Sequence, residues 1–594
     1  MWPLLARLTL AQVPEVVSEP AAAPPETTVP PSPAPVADPE LEALKARLAV
    51  TEAQLVELQR QIADTRIALI PKDAMKLTFE GHYRARGSMY GHLYASQTDA
   101  GKHEAAKLFT HRLLLRPKFD YKDVAKLFVE FRALDDMVWG DNASLASTAL
   151  FAGSPSNTDL AGQEAASVDV SRVWVEANAA VGVLRVGRQP SQWGMGLLAN
   201  SGDTLNYDFG DAHYPTTSDR ALFATRPFAI YNRITGKGDG DVPLIVAVAV
   251  DRLVEDPLFQ FYGFECTAGL LASDPNYDAR CDADADGVSD QDHSYQDNDY
   301  LSENRPEDWW ADQNDDVQQM VYVLVYRGTD VDLFGHEGDL TAGVYIVNRH
   351  QDETESDVWV ADANLHLDWR GILVDFEGIT ITGDTRGITL PSGEKDPLQK
   401  TAKIWGWVAR GGYRYRAWQA LMEAGFASGD DNVTDPSFTG RPLHPDHNVG
   451  LLLYEEVLSR VTAAGWTESA KGLWSNGGVY NSLYINPRVH FYPMDNWDIV
   501  GGFLTAWPDK ADGAVIRCVS SDRTGCATPA SDQATASTLG WEVDAAIKHT
   551  WYKHIGVSLE GGYLKTTDRI PLETAGLDEK AEFWTMQSRF SYQF

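Results

Sequence analysis

Long apolar runs are missing from this chain of 594 residues, although 44% of its residues are apolar. No segment approaches the roughly 18–20 consecutive apolar residues of a membrane-spanning helix, which argues against a helical membrane protein. Basic charge is scarce as well, because 50 Lys and Arg stand against 85 Asp and Glu, a net charge of -35. Binding to nucleic acid would demand a basic surface, so no nucleic-acid partner is expected.

Recognisable catalytic motifs are also lacking. The sequence contains no Gly-x-Ser-x-Gly elbow, no HExxH helix and no phosphate-binding glycine loop. The fourteen His are scattered, and His444 and His447 flank Asp446 in what reads as a loop. We therefore do not expect an enzyme, and no catalytic residue is assigned.

Cysteine is rare, with four residues in two close pairs. An even number of closely spaced cysteines is typical of disulfides in a protein that passes through an oxidising compartment. We predict one bridge between Cys266 and Cys281 and another between Cys518 and Cys526. The alternative is four unrelated free thiols.

Alternation of apolar and polar residues is the pattern that this sequence has in abundance. In Ala581–Phe594 one face of a strand carries Trp584, Met586, Phe590, Tyr592 and Phe594. About eighteen such segments follow one another from residue 74, and the connections after even-numbered segments are mostly tight, whereas most others are longer. Lipid-facing strands, short inner turns, long outer loops and interfacial aromatics characterise outer-membrane barrels. We therefore predict an all-β membrane protein, an antiparallel transmembrane β-barrel of 16–18 strands, with 18 preferred, over residues 74–594 in a Gram-negative outer membrane.

The first seventy residues predict three further segments. Residues 1–12 resemble a partial or weak signal segment, with the true start expected upstream, and residues 13–37 form a Pro-rich disordered tether with eight prolines. Residues 38–70 predict a periplasmic coiled-coil helix that self-associates, with a trimer as the first choice. The alternative is a helix that packs against its own barrel. The apolar stripe consists of Leu41, Leu44, Leu48, Leu55, Leu58, Ile62 and Leu69.

One outer loop is strongly acidic, with eighteen Asp or Glu against two Arg between Glu255 and Asp316. Oxygen ligands at alternate positions followed by Gly287 match the first half of a calcium loop, and the segment resembles the shorter calcium repeats of extracellular proteins. We predict structural calcium there, with a merely solvated acidic loop as the alternative. The predicted ligands are Asp282, Asp284, Asp286, Val288, Asp290 and Asp292.

Charged residues at inward positions of the predicted barrel are unevenly distributed. The first five strands carry mainly basic residues, whereas the tenth and eleventh carry acidic ones. Opposite charges on facing walls would set a field across the pore. The alternative is that Arg and Glu interleave along each wall as neutral ladders. The predicted pore-lining residues are Arg84, Arg86, Arg112, Arg116, Lys126, Arg132, Arg172 and Arg185 on the basic side, and Asp362, Asp368, Asp375 and Glu377 on the acidic side.

The most specific local sequence is Leu184–Gly196, in which Gly-Arg-Gln ends a strand and Trp-Gly-Met-Gly follows. It resembles the alginate-export type of eighteen-stranded porin barrels. With His444-Pro445-Asp446 leading to Leu451–Tyr454, it is more similar still to an outer-membrane family of myxobacteria. The resemblance implies a solute pore with basic residues, onto which Arg185 and Arg188 carry over. The very acidic outer loop departs from it and would repel a polyanion such as alginate.

Two resemblances concern partners. The last strand, with Phe594 at its end, resembles the signal that outer-membrane barrels present to their assembly machinery. The tether and heptad segment is similar in layout to trimeric porins with coiled-coil amino termini. Together with the barrel wall, these features imply outer-membrane lipid, the assembly machinery and further copies of this chain as partners.

The function predicted from these features is a porin-like channel for passive diffusion of small hydrophilic solutes, with a preference for anions or sugars. One alternative is a polysaccharide-export channel of the alginate-export type. Another is a surface interaction protein that the barrel anchors and whose outer loops bind calcium. Selectivity depends on which loops fold inward, and residues 190–219 and 430–472 are the expected ones.

Overall fold

The computed structural model describes the compact unit Ala74–Phe594 over most of its length. The predicted signal segment, tether, coiled-coil helix and calcium loop lie outside the described residues, as do Cys266 and Cys281, so these remain predictions. The described ranges are 76–93, 105–122, 124–138, 168–179, 181–205, 207–236, 242–253, 317–351, 355–385, 399–431, 436–465, 475–510, 517–518, 526–527, 535–572, 577 and 582–594.

Eighteen long antiparallel strands form a closed barrel, because the first strand pairs with the last as well as with the second. The eighteen-stranded barrel predicted from the sequence is confirmed. The strands are β1 (Lys76–Gly91), β2 (Ala105–Tyr121), β3 (Ala125–Val138), β4 (Val168–Ala179), β5 (Gly182–Pro190), β6 (Thr217–Thr225), β7 (Leu244–Leu253), β8 (Gln318–Leu333), β9 (His336–Gln351), β10 (Ser356–Trp369), β11 (Ile372–Thr385), β12 (Lys400–Tyr415), β13 (Trp418–Ala427), β14 (Ser482–Phe491), β15 (Trp497–Pro508), β16 (Gly540–Trp551), β17 (Ile555–Thr566) and β18 (Glu582–Gln593).

Shorter elements lie between the barrel strands. Ser437–Phe438 pairs in parallel with β12, and Arg517–Cys518 pairs with Cys526–Ala527 outside the barrel sheet. Helix α1 (Pro227–Thr235) follows β6, a π-helix spans Leu453–Leu458, and α2 (Ser459–Gly465) continues it. Within the described ranges, no helix has the length and apolar character that crossing a membrane requires.

Short turns of two to five residues join the strands at one end of the barrel. Arg370-Gly371 connects β10 to β11, and both residues have positive φ, 53° and 82°. Two successive left-handed residues match the right-handed twist of the flanking strands, which explains the tight hairpin. The connection from β6 to β7, which contains α1, is the exception. This asymmetry agrees with the alternation of tight and long connections in the sequence.

The outer wall of the barrel is apolar. On β17, Leu559 and Tyr563 point outward and are exposed, whereas Ser558 and Glu560 are buried. On β18, Met586 and Phe590 point outward, and Gln587 points inward. Because strand side chains alternate between faces, each strand presents an apolar row to the outside and a polar row to the lumen. This is the arrangement of a barrel that contacts lipid.

We expect Leu559→Arg to destabilise the folded barrel by about 2–4 kcal/mol, because a charge would then face the bilayer interior. Tyr552→Arg is the matched control, since Tyr552 lies in the turn between β16 and β17 and is 88% exposed. Its expected effect is about 0–1 kcal/mol. Equilibrium unfolding of both variants from lipid vesicles in urea measures the difference. Equal effects would show that the outer wall does not face lipid.

The main apolar core lies inside the barrel rather than between layers. The buried cluster includes wall residues such as Val408 and Leu504 and loop residues such as Leu197, Leu452 and Val457. Each fully buried Leu or Val contributes roughly 1.5–3 kcal/mol to folding. The loops that enter the lumen are therefore part of the folded core.

Candidate functional site: a lumen narrowed by two inner loops

Residues 191–216, between β5 and β6, are called the first inner loop, and its described residues 191–205 and 207–216 cross the lumen. Asp211 of this loop contacts Arg84 and Arg86 on β1, and its Trp193 Nε1 donates a hydrogen bond to Asp362 Oδ1 on β10 at 3.0 Å. In a closed barrel of eighteen strands, β1 and β10 lie on opposite walls. Only a segment inside the barrel can contact both.

Asp211 holds the first inner loop to the wall formed by β18 and β1. The Asp211 carboxylate lies 3.5 Å from Arg84 Nη1 and 3.1 Å from Arg86 Nη1, and Arg589 also contacts it. Burial alone would raise the pKa of Asp211, but Arg589, Arg84 and Arg86 hold it well below its ordinary value. The carboxylate is therefore charged and compensated by three guanidinium groups.

Glu130 on β3 is the centre of a second ion cluster. Arg172 Nη1 and Arg132 Nη2 each lie 3.3 Å from its carboxylate oxygens, and Arg116 also contacts it. Arg116 Nη2 in addition contacts Asp203 Oδ1 of the first inner loop at 2.9 Å. The basic residues of the first strands thus contact acidic neighbours on their own wall and on the loop.

On the opposite wall, Glu377 of β11 binds the backbone of the first inner loop. Its carboxylate accepts hydrogen bonds from the N–H groups of Met195 and Leu197, the latter at 3.2 Å. Gly194 has a φ of 48°, and a Cβ there would clash with the Glu377 carboxylate. The Trp-Gly-Met-Gly segment therefore anchors the loop, and glycine is required for the close approach.

Residues 428–481, between β13 and β14, form the second inner loop, of which 428–431, 436–465 and 475–481 are described. The Glu542 carboxylate on β16 accepts hydrogen bonds from the N–H groups of Leu451, Leu452 and Leu453 at 2.7, 2.8 and 2.7 Å. The first N–H groups of a helix lack partners within the helix, and a carboxylate satisfies them well. Glu542 therefore fixes the start of the π-helix to the wall.

Glu423 on β13 joins the wall to both inner loops. Its carboxylate accepts hydrogen bonds from Arg410 Nε at 2.8 Å, from Arg488 Nη2 at 2.6 Å and from the Tyr484 hydroxyl at 2.9 Å. Arg488 Nη1 in turn lies 3.0 Å from Asp208 Oδ2 of the first inner loop. Buried charges of both signs are paired throughout this cluster.

The two inner loops also bind each other. The Asp446 carboxylate of the second loop accepts hydrogen bonds from the N–H groups of His213 at 2.7 Å and Tyr214 at 3.0 Å. The Asn448 side chain donates to the Asp211 carbonyl at 2.9 Å. Because each loop is also anchored to the wall, the two loops form one unit inside the lumen.

Acid is expected to loosen the second inner loop through His447. Burial, partly offset by Glu423, lowers the pKa of His447 to about 4, and its Nε2 lies 3.2 Å from the Tyr484 hydroxyl. A released loop would return the pKa of His447 to about 6.5, so attachment weakens as the pH falls from about 6.5 towards 4, by about 3 kcal/mol at most. Protease cleavage of the loop across this pH range measures the effect.

The control for this prediction is His447→Gln, which removes the titrating group and keeps a polar side chain at the site. Cleavage of this variant should vary less with pH between about 6.5 and 4.5, and the remaining dependence should come from His444, whose pKa burial also lowers to about 4. If wild type and variant show the same pH profile, His447 does not control the loop.

The remaining predicted lumen residues lie on the wall beside opposite charges or near a strand end. Arg185 contacts Glu176 at 2.8 Å, and Arg188 contacts Asp219 at 2.8 Å. Asp375 contacts His366 at 2.6 Å, and Lys126 lies opposite Glu176 in the register. Arg112 donates a hydrogen bond to the Ala212 carbonyl at 3.0 Å, and Asp368 is exposed. The contacts match interleaved charges rather than two facing rows of one sign each. That these residues line a conducting pore stays a prediction.

Metal and disulfide predictions gain no structural site here. Among the residues that the structure describes, no group of three or more His, Cys, Asp or Glu is placed to hold a metal ion. The register places Cys518 opposite Cys526 in their short ladder, and their bridge remains a prediction.

The lumen residues predicted from the sequence include some that bind the inner loops, such as Arg84 and Glu377, but not Glu423 or Glu542. Glu423 and Glu542 are alternating inward positions like many others, and Asp211 is a loop residue without a motif. Asp446 belongs to the His444-Pro445-Asp446 segment of the resemblance, which did not indicate what it binds. The inward face of β16 also carries Asp544 and Lys548, so no signal in the sequence distinguished Glu542. The loop backbone that it binds cannot be read from strand periodicity.

No family model matches this chain, and no curated protein is similar to it in sequence. Solved structures with a similar fold include OccK9 (OpdG) and OccK5 (OpdH) of Pseudomonas aeruginosa and a BenF-like porin from Pseudomonas fluorescens Pf-5. They are 9%, 8% and 8% identical, with TM-scores of 0.43, 0.42 and 0.42, and each match covers 87% of this chain and 98% of the other. These similarities concern the barrel fold and not the transported solute. The resemblance to a myxobacterial family finds no support among these proteins.

Proposed function

We propose that the chain is an outer-membrane channel through which small hydrophilic solutes diffuse passively. The observation that carries this proposal is a closed eighteen-stranded barrel with an apolar outer wall and a charged lumen that the inner loops narrow. Barrels of 16–18 strands leave an aqueous passage unless something fills it. Beside the inner loops, a cavity of about 180 Å³ remains against β18, β1 and β2.

The charged residues in the lumen favour a selective channel over an unobstructed pore. Ion clusters around Glu130, Asp211 and Glu423 hold the inner loops in place without leaving a large uncompensated charge. Paired charges and hydroxyls can replace part of the water around a polar solute as it passes. The fixed loops would then limit the size of the solute.

Single-channel recording in planar bilayers tests the proposal. The purified full-length chain should give small, steady current steps, smaller than an unobstructed barrel of this strand number would give. A bilayer that stays silent after verified insertion of the folded barrel would contradict the proposal. It would then favour the alternative in which the barrel only anchors outer loops.

Assembly and calcium binding are proposed separately from the channel. The stripe Leu41–Leu69 is expected to join copies of this chain in the periplasm, and the segment 282–292 is expected to bind calcium. Neither proposal is needed for conduction through one barrel.

A further inference from the structure

The lumen cavity lies where a solute would pass the inner loops. Its wall combines inward residues of β1, β2 and β18 with residues of both loops, among them Arg86, Tyr90, Asp211, Glu455 and Glu456. The groups on this wall lie beside the path that a solute would take. The charges on the wall therefore bear on which solutes the channel accepts.

Most charges on the cavity wall are already paired. Arg86 Nη1 lies 3.1 Å from Asp211 Oδ2, and Glu456 Oε2 lies 3.3 Å from Arg460 Nη2. Glu455 differs, because its Oε1 has essentially no solvent-exposed surface and no hydrogen-bond partner within the described part of the chain. A withdrawn carboxylate oxygen without a partner is unfavourable unless a ligand or a proton satisfies it.

The position of Glu455 is fixed by its neighbours. It lies in the π-helix Leu453–Leu458, whose start is bound by Glu542, and the flanking Tyr454 is 1% exposed. The widened turn of a π-helix often occurs at functional sites. Here Glu455 and Glu456 both line the cavity, while Tyr454 and Val457 are held in the apolar core.

We infer that this cavity binds a small organic cation, an ammonium or guanidinium group, with the Glu455 carboxylate as its acceptor. The inference rests on the proposed channel and gives it a solute class. Hydroxyl groups of Ser88, Tyr90 and Thr110 on the facing wall provide further acceptors for N–H groups. Asp211 and Glu456 on the same wall are already paired with arginines, which leaves Glu455 as the available carboxylate among the described lining residues. This inferred preference for cations departs from the preference for anions or sugars expected from the sequence.

Ion selectivity of the full-length chain in planar bilayers is the first test. In a KCl gradient, the wild-type channel should prefer K⁺ to Cl⁻, and Glu455→Gln should lower the permeability ratio by about fivefold. The matched control is Glu456→Gln, which makes the same charge change one residue away at a carboxylate already paired with Arg460. Its expected effect is less than about twofold.

Binding of ethylammonium to the detergent-solubilised full-length chain is the second test, and it does not need conduction. Saturation-transfer NMR should detect binding to the wild type and to Glu456→Gln, and binding about tenfold weaker to Glu455→Gln. Circular dichroism verifies that each variant keeps the barrel. Anion preference of the wild type, an unchanged Glu455→Gln variant, or equal losses in both variants would overturn the cation site. Absence of current with ethylammonium bound would overturn the channel and retain the site.

Discussion

Replacing Glu542 with Ala is expected to increase single-channel conductance severalfold and to expose the second inner loop to protease. Three backbone N–H groups lose one buried acceptor at the same time. A hydrogen bond to a charged group contributes about 1.5–3 kcal/mol, and an unsatisfied buried donor adds to the loss. The start of the π-helix should therefore leave the wall, and the passage beside it should widen.

The control for Glu542→Ala is Glu176→Ala, which removes a lumen carboxylate that contacts Arg185 and no inner loop in the described structure. Its conductance should stay close to that of the wild type. If Glu542→Ala leaves both conductance and cleavage unchanged, the second inner loop is held by its apolar contacts alone. The carboxylate would then not be its anchor.

Replacing Asp211 with Asn is expected to destabilise the barrel by about 3–5 kcal/mol, because three buried guanidinium groups lose their shared carboxylate. Asp219→Asn is the matched control, since the Asp219 side chain is 45% exposed and pairs with Arg188. An exposed pair of this kind contributes about 0–1 kcal/mol. Urea unfolding of the two variants from vesicles measures the contrast.

The burial of this ion cluster also predicts how the stabilisation of the barrel by Asp211 depends on pH. The folded-state pKa of Asp211 lies below its ordinary value, so its stabilisation is present above the unfolded pKa of about 3.9 and disappears as the pH falls further. The difference in stability between wild type and Asp211→Asn should therefore persist at neutral pH and shrink only in strong acid. A difference that vanishes near pH 6 would assign the effect to another group.

The barrel could be predicted because its rule is local. Each strand repeats every two residues, so Trp584, Met586 and Phe590 reveal the outer face of β18 without knowledge of any partner. Tight turns such as Arg370-Gly371 mark strand ends with equal clarity. Counting these segments gave 16–18 strands, with 18 preferred.

The lumen could be predicted only in part, because its contacts join residues far apart in sequence. Periodicity placed Arg84 and Glu377 inside, and the resemblance drew attention to the Trp-Gly-Met-Gly segment. Nothing in the sequence indicated that Asp211 would meet Arg84, 127 positions earlier, or that Asp446 would bind the backbone of His213. The sequence predicted two facing rows of basic and acidic residues. These residues belong instead to compact clusters, because the first inner loop brings its own carboxylates to the basic wall.

Swelling of liposomes that contain the purified full-length chain shows whether the barrel conducts small solutes, because it measures the passage of the solutes themselves. Uncharged and amine-bearing solutes of increasing size would be presented to liposomes with and without the protein. We expect swelling well above that of protein-free liposomes for the smallest solutes and a steep decline with size, since the inner loops narrow the lumen. No swelling above the protein-free rate for any solute, with the barrel folded and inserted, would contradict this expectation.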